Sequence, residues 1–435
     1  MKIVFIENRY KTKLYEAIAR RLPSSIEVYW LVQNHSFVPK TKNIYCIPYP
    51  SKNDLSRTSL ADCSLNLIIQ SDRQQNFFKK KGKGYFHYYY NQIKEYLEDI
   101  MPDFIFGEST AFHELLTIEV AKRSNLIYLN PSTCRYPKGR FSFYKNDSLE
   151  PYKGSNEVFD NEELSNIISG ISSRNTIPDY MNNTTAALKI NLKNKIILTS
   201  AYFKGESYNT PNPFVKKLIE RRKRKLIRSW DNIACDRLPE NSFLVLYPMQ
   251  MQPEANIDVW GRAYRNQTDT IIQIAKQLGK GQTLIIKPNP KSKYEINEEL
   301  IDFASKSDNI VLMDHSVEMK EIIQHIDLVV TVTGTIAIEC ILSNKPVVTL
   351  VETLFNKSKN CVFLDRIKEL PNIIMNVTQG TFPVNKNIDM HAFVSLMTKS
   401  SYPGIISDPL SDRRCVDSNN ITDLVNAWLH VIEYS

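Results

Sequence analysis

Short apolar runs recur along this chain, and each leads through a polar turn into an amphipathic stretch. Residues 2–6 (KIVFI) are the first run, followed by helix-like residues 11–22 and a second strand-like run at 25–32 (SIEVYWLV). Residues 90–101 read as a helix that stops ahead of Pro102, because proline closes a helix on the residue before it. A short strand at 104–106, a helix at 111–124 and a strand at 126–129 come next. Residues 145–240 are more polar, rich in Asn, Ser and Lys, and contain Asn182-Asn183-Thr184-Thr185. The alternation then resumes, with strands at 243–247, 283–287, 310–313, 328–332 and 346–350 and helices at 268–278, 317–325 and 336–343. Strand, helix, strand in repetition is the pattern of a doubly wound parallel sheet.

Two such alternations imply an α/β chain that is GT-B-like, with two Rossmann-like domains facing a central cleft. The expected boundaries are 1–150 and 241–385 for the two domains, 151–240 for a linker with a basic helical segment, and 386–435 for a helical extension. The length of 435 residues suits about two domains, and 42% hydrophobic with 23% charged residues is the balance of an ordinary globular chain. Disordered, collagen-like and polytopic membrane classes are thereby excluded. The cysteines (46, 63, 134, 235, 340, 361 and 415) stand singly, with no CxxC pair, which points away from a disulfide scaffold or structural zinc and towards a reducing compartment. The start of the sequence is unlike a signal peptide, and the longest apolar stretch, 326–342, is broken by polar residues. A cytoplasmic location, peripheral on the inner face of the cell membrane, is the expectation.

The net charge of +8 is concentrated locally. Residues 216–228 (KKLIERRKRKLIR) hold eight basic residues against one acid, and Lys79, Lys80, Lys81 and Lys83 cluster beside Phe77, Phe78 and Tyr85. Such segments bind anionic lipid surfaces, nucleic acid or acidic polymers, or simply line a solvated helix face.

Open α/β sheets bind ligands beyond the carboxyl ends of their strands, so the strand-to-helix turns carry the candidates. Thr333-Gly334-Thr335 ends an apolar strand, with Glu339 one helical turn beyond Thr335; glycine permits close approach, and the hydroxyls suit a phosphate or carboxylate. An N-cap with a structural glutamate is the alternative. Lys287-Pro288-Asn289-Pro290 forms a second turn, a rigid phosphate clamp or a plain proline turn. Gln250, Gln252 and Glu254 follow the strand at 243–247. Glu108 follows Gly107 at a strand end, where a carboxylate serves as base or nucleophile, or caps the next helix together with Ser109. His113 is the only histidine expected near a candidate site. Arg135 and Arg140 offer guanidinium forks for a carboxylate or phosphate, or ordinary ion pairs. There is no GxxxxGK[ST], no GxGxxG after the first strand, no HExxH and no GxSxG. The missing Asp-x-Asp agrees with a metal-independent GT-B chain, and no cofactor is expected.

Three of the turns together resemble the bacterial capsule polysaccharide biosynthesis proteins. The segments are YPMQMQPEANIDVWG, LIIKPNPKSK and DLVVTVTGTIAIECILSNKPVV. In that family a PLQ-x-QPEA segment, a KEHP turn and a T-x-[TS]-[GS]-T-x-x-x-E-A turn occur in the same order. FGESTAFHELLTIEVAKRSNLIYLNPSTCRYPKGRFSFY resembles it less specifically, and Asn289 departs from it by standing where histidine is usual. The resemblance implies a glycosyltransferase of capsule or lipopolysaccharide synthesis. It would move a CMP-activated 3-deoxy-ulosonic or nonulosonic acid onto a glycan or lipid-linked acceptor. It also implies that 1–150 is the acceptor side and that Glu108 faces the reacting centre; His113, just inside the next helix, is the second catalytic candidate, a lone histidine there being more often structural. Nucleotide-sugar contacts would fall to Gln250, Glu254, Lys287, Asn289, Pro290, Thr333, Gly334, Thr335 and Glu339. Ser109, Arg135 and Arg140 would meet the sugar carboxylate or acceptor. No nucleic acid is expected as a partner. A catalytically inactive assembly scaffold and an epimerase of UDP-sugars are the rival readings.

Overall fold

The computed structural model describes residues 1–56, 63–174 and 187–433; the Asn182–Thr185 stretch lies outside them. In chain order the strands are β1 (Lys2–Ile6), β2 (Glu27–Val32), β3 (Ile44–Cys46), β4 (Phe104–Phe106), β5 (Ile127–Thr133), β6 (Arg140–Lys145), β7 (Phe243–Pro248), β8 (Gln282–Lys287), β9 (Ile310–Leu312), β10 (Leu328–Thr331), β11 (Val347–Thr349), β12 (Cys361–Phe363) and β13 (Tyr402–Pro403). The chain divides into two compact units. The first comprises Met1–Val158, Pro178–Lys217 and Met397–Ser435, and the second Phe159–Ile177 and Leu218–Leu396.

The first unit holds one sheet in the order β13-β6-β5-β4-β1-β2-β3. Strands β5, β4, β1, β2 and β3 run parallel, while β6 and β13 are antiparallel additions. Strand order reverses between β1 and β4, the doubly wound arrangement that opens a crevice at the carboxyl ends of those two strands. The parallel strands are buried on both faces, which is why KIVFI and FIF are continuous apolar runs. Phe5 stacks on Trp30 and Tyr15, at centroid separations of 5.2 and 5.4 Å.

The second unit holds a wholly parallel sheet in the order β12-β11-β10-β7-β8-β9. Its switch point lies between β7 and β10. Both units are thus Rossmann-like, in keeping with the expected GT-B-like α/β class. Val245, Leu284, Leu328, Val330 and Val348 lie in one core with Trp230, from the basic helix Pro213–Asp231.

The end of the chain differs from the expected extension. Residues from Met397 onward return to the first unit, where β13 pairs with β6 and the helix Ser418–Glu433 lays Trp428 against Phe106, Phe141 and Phe143. The expected linker is also divided, with helix Asn161–Ser172 packing on helix Ile336–Leu342 of the second unit and 178–217 joining the first. Among the described residues no helix is long and apolar enough to cross a membrane.

Candidate functional site

At the switch point of the second unit, β7 runs into Met249-Gln250 and β10 into Val332-Thr333-Gly334. Gln250 donates from Nε2 to Thr333 Oγ1 across the gap at 3.1 Å, and Thr333 Oγ1 donates to the Asn256 carbonyl at 2.8 Å. Because the hydroxyl proton goes to Asn256, Thr333 can only accept from Gln250, and this fixes which way the amide points. Gln250 Oε1 is then left buried with no partner. An acceptor so placed costs free energy until a donor reaches it.

The supporting shell is dense. Gln267 grips both faces of the Gln250 peptide, accepting from its N–H at 2.8 Å and donating to its carbonyl at 2.7 Å. Gln252 donates to Asp258 and to the Arg265 carbonyl, and Asp258 also accepts from the Glu254 N–H and from Arg265. Burial raises the Asp258 carboxyl above its ordinary range against these donors. The residues Asn256–Trp260 form a π-helical turn, a conformation that recurs at functional sites. Gly334 is required where it stands, since a Cβ would lie 2.4 Å from Thr331 Oγ1, which accepts the Gly334 N–H.

Several expectations for this end change on contact with the geometry. The ammonium of Lys287, expected to clamp a phosphate, is buried against the carbonyls of Pro288, Asp314 and His315 and ties two loops together. Glu339 pairs with Arg174 at 2.6 Å, so its carboxylate meets a guanidinium rather than standing open to a sugar hydroxyl. Thr335 precedes the seven-residue helix Ile336–Leu342 without a side-chain cap bond. Asn289 turns inward: Oδ1 accepts from the Lys291 N–H, and its carbonyl accepts from Ser292, with Pro290 between them.

One residue escaped the sequence reading. His315 lies against the 288–293 turn, so His113 is not the only histidine at a candidate site. Its Nε2 faces Ser292 Oγ at 3.1 Å and its Nδ1 faces Asp231 at 2.6 Å, a carboxylate partner that fixes the ring orientation. Nothing near His315 in sequence signals this, because Asp231 and Ser292 come from distant elements.

In the first unit the switch point gathers charge. Glu108 lies in the turn after β4, not on the helix Phe112–Arg123 that it was expected to open. Its carboxylate pairs with Lys11 and accepts from Asn8 Nδ2 at 2.9 Å; the same amide donates to Glu114 at 2.7 Å. Glu114 caps the helix instead, accepting from the Thr110 and Ala111 N–H groups. Gly107 is forced by close packing, since a Cβ would lie 2.3 Å from Tyr128 Oη.

His113 is buried, and both ring nitrogens are engaged, by the Glu7 carbonyl and by Asn209 Nδ2, each at 2.9 Å. It holds the fold rather than facing a reactant. Ser109 is likewise buried, accepting from Asn130. Arg140 spends its fork on its own chain, on Glu157, Ser155, Ser401 and the Thr398 and Ser401 carbonyls. Arg135 lies in the turn between β5 and β6. Among the described residues no cluster of His, Cys, Asp and Glu has the makings of a metal site.

Residues 154–358 match the family of capsule polysaccharide biosynthesis proteins, the family that the three turns resemble. No curated protein matches the chain. Among solved structures, the KpsC β-Kdo 2,7 transferase of Thermosulfurimonas dismutans is 8% identical, with 98% of this chain and 100% of that chain covered at a TM-score of 0.40. The UDP-GlcNAc 2-epimerase of Neisseria meningitidis bound to UDP-GlcNAc is 12% identical, with 92% and 99% covered at a TM-score of 0.30. MurG of Acinetobacter baumannii is 9% identical, with 98% of each chain covered at a TM-score of 0.28. Likenesses at these scores say nothing about activity.

Proposed function

We propose that this chain is a glycosyltransferase of bacterial surface polysaccharide synthesis, of capsule or lipopolysaccharide, taking its nucleotide-sugar donor at the β7/β10 switch point. The observation that carries this reading is the oriented Gln250 amide, whose buried oxygen lacks a donor, inside the segment that matches the capsule family. A lone acceptor fits a ribose or sugar hydroxyl, or the exocyclic amino group of cytosine, whereas uracil presents a carbonyl in place of that amino group. The cytosine amino group would satisfy this acceptor, and the resemblance of the three turns favours CMP as the nucleotide and a 3-deoxy-ulosonic or nonulosonic acid as the sugar.

The Thr333–Thr335 turn and the Asn289–Pro290 turn would bracket the donor phosphate, with His315 behind the second. Glu108, held by Lys11 and Asn8, would draw the proton from the acceptor hydroxyl, or attack the sugar itself in a retaining reaction. The exposed basic face of helix Pro213–Asp231 would hold the enzyme near a lipid-linked acceptor at an anionic membrane surface.

The test is nucleotide release from CMP- and UDP-sugars with and without a glycan acceptor. Acceptor-dependent release that Glu108→Gln reduces by about a hundredfold or more supports the assignment. Full turnover by Glu108→Gln removes Glu108 from the chemistry. Donor consumption with no acceptor present favours the epimerase, and no consumption under either condition favours the scaffold.

A further inference from the structure

Arg9 follows β1 with a φ of 42°, in the left-handed region that a side chain of this size rarely adopts. Its backbone is pinned there by Glu7, which accepts the Arg9 N–H at 2.6 Å through one carboxylate oxygen and the Asn34 N–H at 2.9 Å through the other. The loops after β1 and β2 are thus tied together, and Tyr10 packs edge-on against Phe37 across the same junction. Strain held in place by its surroundings invites a functional reason.

The Arg9 side chain converges with a second guanidinium. Arg9 Nη2 donates to the Asn209 carbonyl at 2.8 Å, and Arg73 Nη2 donates to the same oxygen at 3.2 Å. Among the described residues neither has a carboxylate within ion-pair distance, so two like charges share one neutral acceptor. Burial, and after it the Arg73 charge, lowers the Arg9 guanidinium to about 10; the carboxylates of Glu206, Glu7 and Glu114 act in the opposite sense. All three carboxylates are already engaged, Glu114 by Asn8 and by the Thr110 and Ala111 N–H groups. Glu7 is held as described, and Glu206 Oε1 takes donors from Gln33, Tyr208 and Asn209.

An independent observation points to a ligand. Asn34 is 1% exposed; its Oδ1 accepts the Ser36 N–H, which orients the amide and leaves Nδ2 as a buried donor without a partner. Glu206 Oε2 is a buried acceptor without a partner in the same network. A ligand carrying an oxyanion would satisfy the donors, and one of its hydroxyls would satisfy Glu206.

We infer that Arg9, Arg73 and Asn34 form a receptor for the oxyanion of an acidic sugar, one residue along the chain from the Asn8 that holds Glu108. The inference rests on the glycosyltransferase reading in assigning that sugar to the acceptor. Carboxylate and phosphate share the required chemistry, bidentate acceptance from guanidinium forks.

Isothermal titration of the full chain with glucuronic acid, glucose 6-phosphate and glucose tests the receptor. Binding of either acid but not of glucose is expected, and the tighter acid identifies the oxyanion. Arg73→Gln should weaken that binding by about tenfold or more, since a charge-assisted hydrogen bond is worth roughly 1.5–3 kcal/mol. Arg73→Lys should recover part of it. Equal binding of glucose, no binding of either acid, or unchanged affinity in a folded Arg73→Gln variant overturns the receptor. If that variant does not fold, the wild-type affinity decides: it should fall with rising salt, and salt-independent binding overturns the inference. Nucleotide binding by Arg73→Gln should remain as in wild type, so a failure of nucleotide binding in the wild type bears on the donor reading alone.

Discussion

At the carboxyl end of β8 the Lys287 ammonium is buried among three carbonyls, and burial lowers it from 10.5 to about 8. Between those values the unfolded chain holds more protons than the folded one, so this group's contribution to stability grows as pH rises from about 8 to 10.5 and is lost as pH falls through 8. The urea-unfolding stability of wild type relative to Lys287→Met should therefore rise across that window, and a flat difference would contradict the assignment. Side-chain chemistry was legible in the sequence at such positions, but ownership was not. Lysine, arginine and histidine at strand ends all suggest ligand contact. In this fold Lys287, Arg140 and His113 are claimed by carbonyls and carboxylates from elsewhere in the chain. Gln250 and Thr333 were visible as polar residues at apolar strand ends; the bond between them, across residues far apart in sequence, was not.

The parallel strands were legible because burial on both faces makes them continuous apolar runs. Strand β6 reads RFSFYK, an alternating segment rather than a continuous apolar run, and its partner β13 is a two-residue strand supplied by a distant part of the chain. Arg140 is what makes that return specific: buried itself, it binds the carbonyls of Thr398 and Ser401. Arg140→Met should cost about 3 kcal/mol, because removing the donor strands buried acceptors, and chemical denaturation would measure it. The alternative, an open carboxylate receptor, would show little loss of stability. The basic helix Pro213–Asp231 has two faces. Leu226, Ile227 and Trp230 pack on the second unit's core, while Phe214 and Leu218 are exposed alongside Lys217, Arg221, Arg224 and Lys225. Each basic residue near an anionic surface contributes about 1 kcal/mol. Sedimentation with phosphatidylserine vesicles should therefore be strong at low salt, fall at high salt, and weaken when Arg221, Arg224 and Lys225 become glutamine. Salt-independent binding, or none, would contradict the membrane role.

For the molecule as a whole, the same strand order occurs twice, and at each switch point the sequence gathers polar groups that the core does not need. In the second unit the surplus is an unpaired amide acceptor. In the first it is the carboxylate Glu108 and a pair of guanidiniums. Nucleotide recognition at Gln250 is measured by calorimetric titration of wild type and Gln250→Met with CMP, UDP and GDP. CMP should bind best, and Gln250→Met should lose about tenfold in CMP affinity while remaining folded. Preference for UDP or GDP would retain the nucleotide site and discard the CMP donor. Absence of binding by all three nucleotides, or equal CMP affinity in the folded Gln250→Met variant, would rule out a nucleotide site at Gln250.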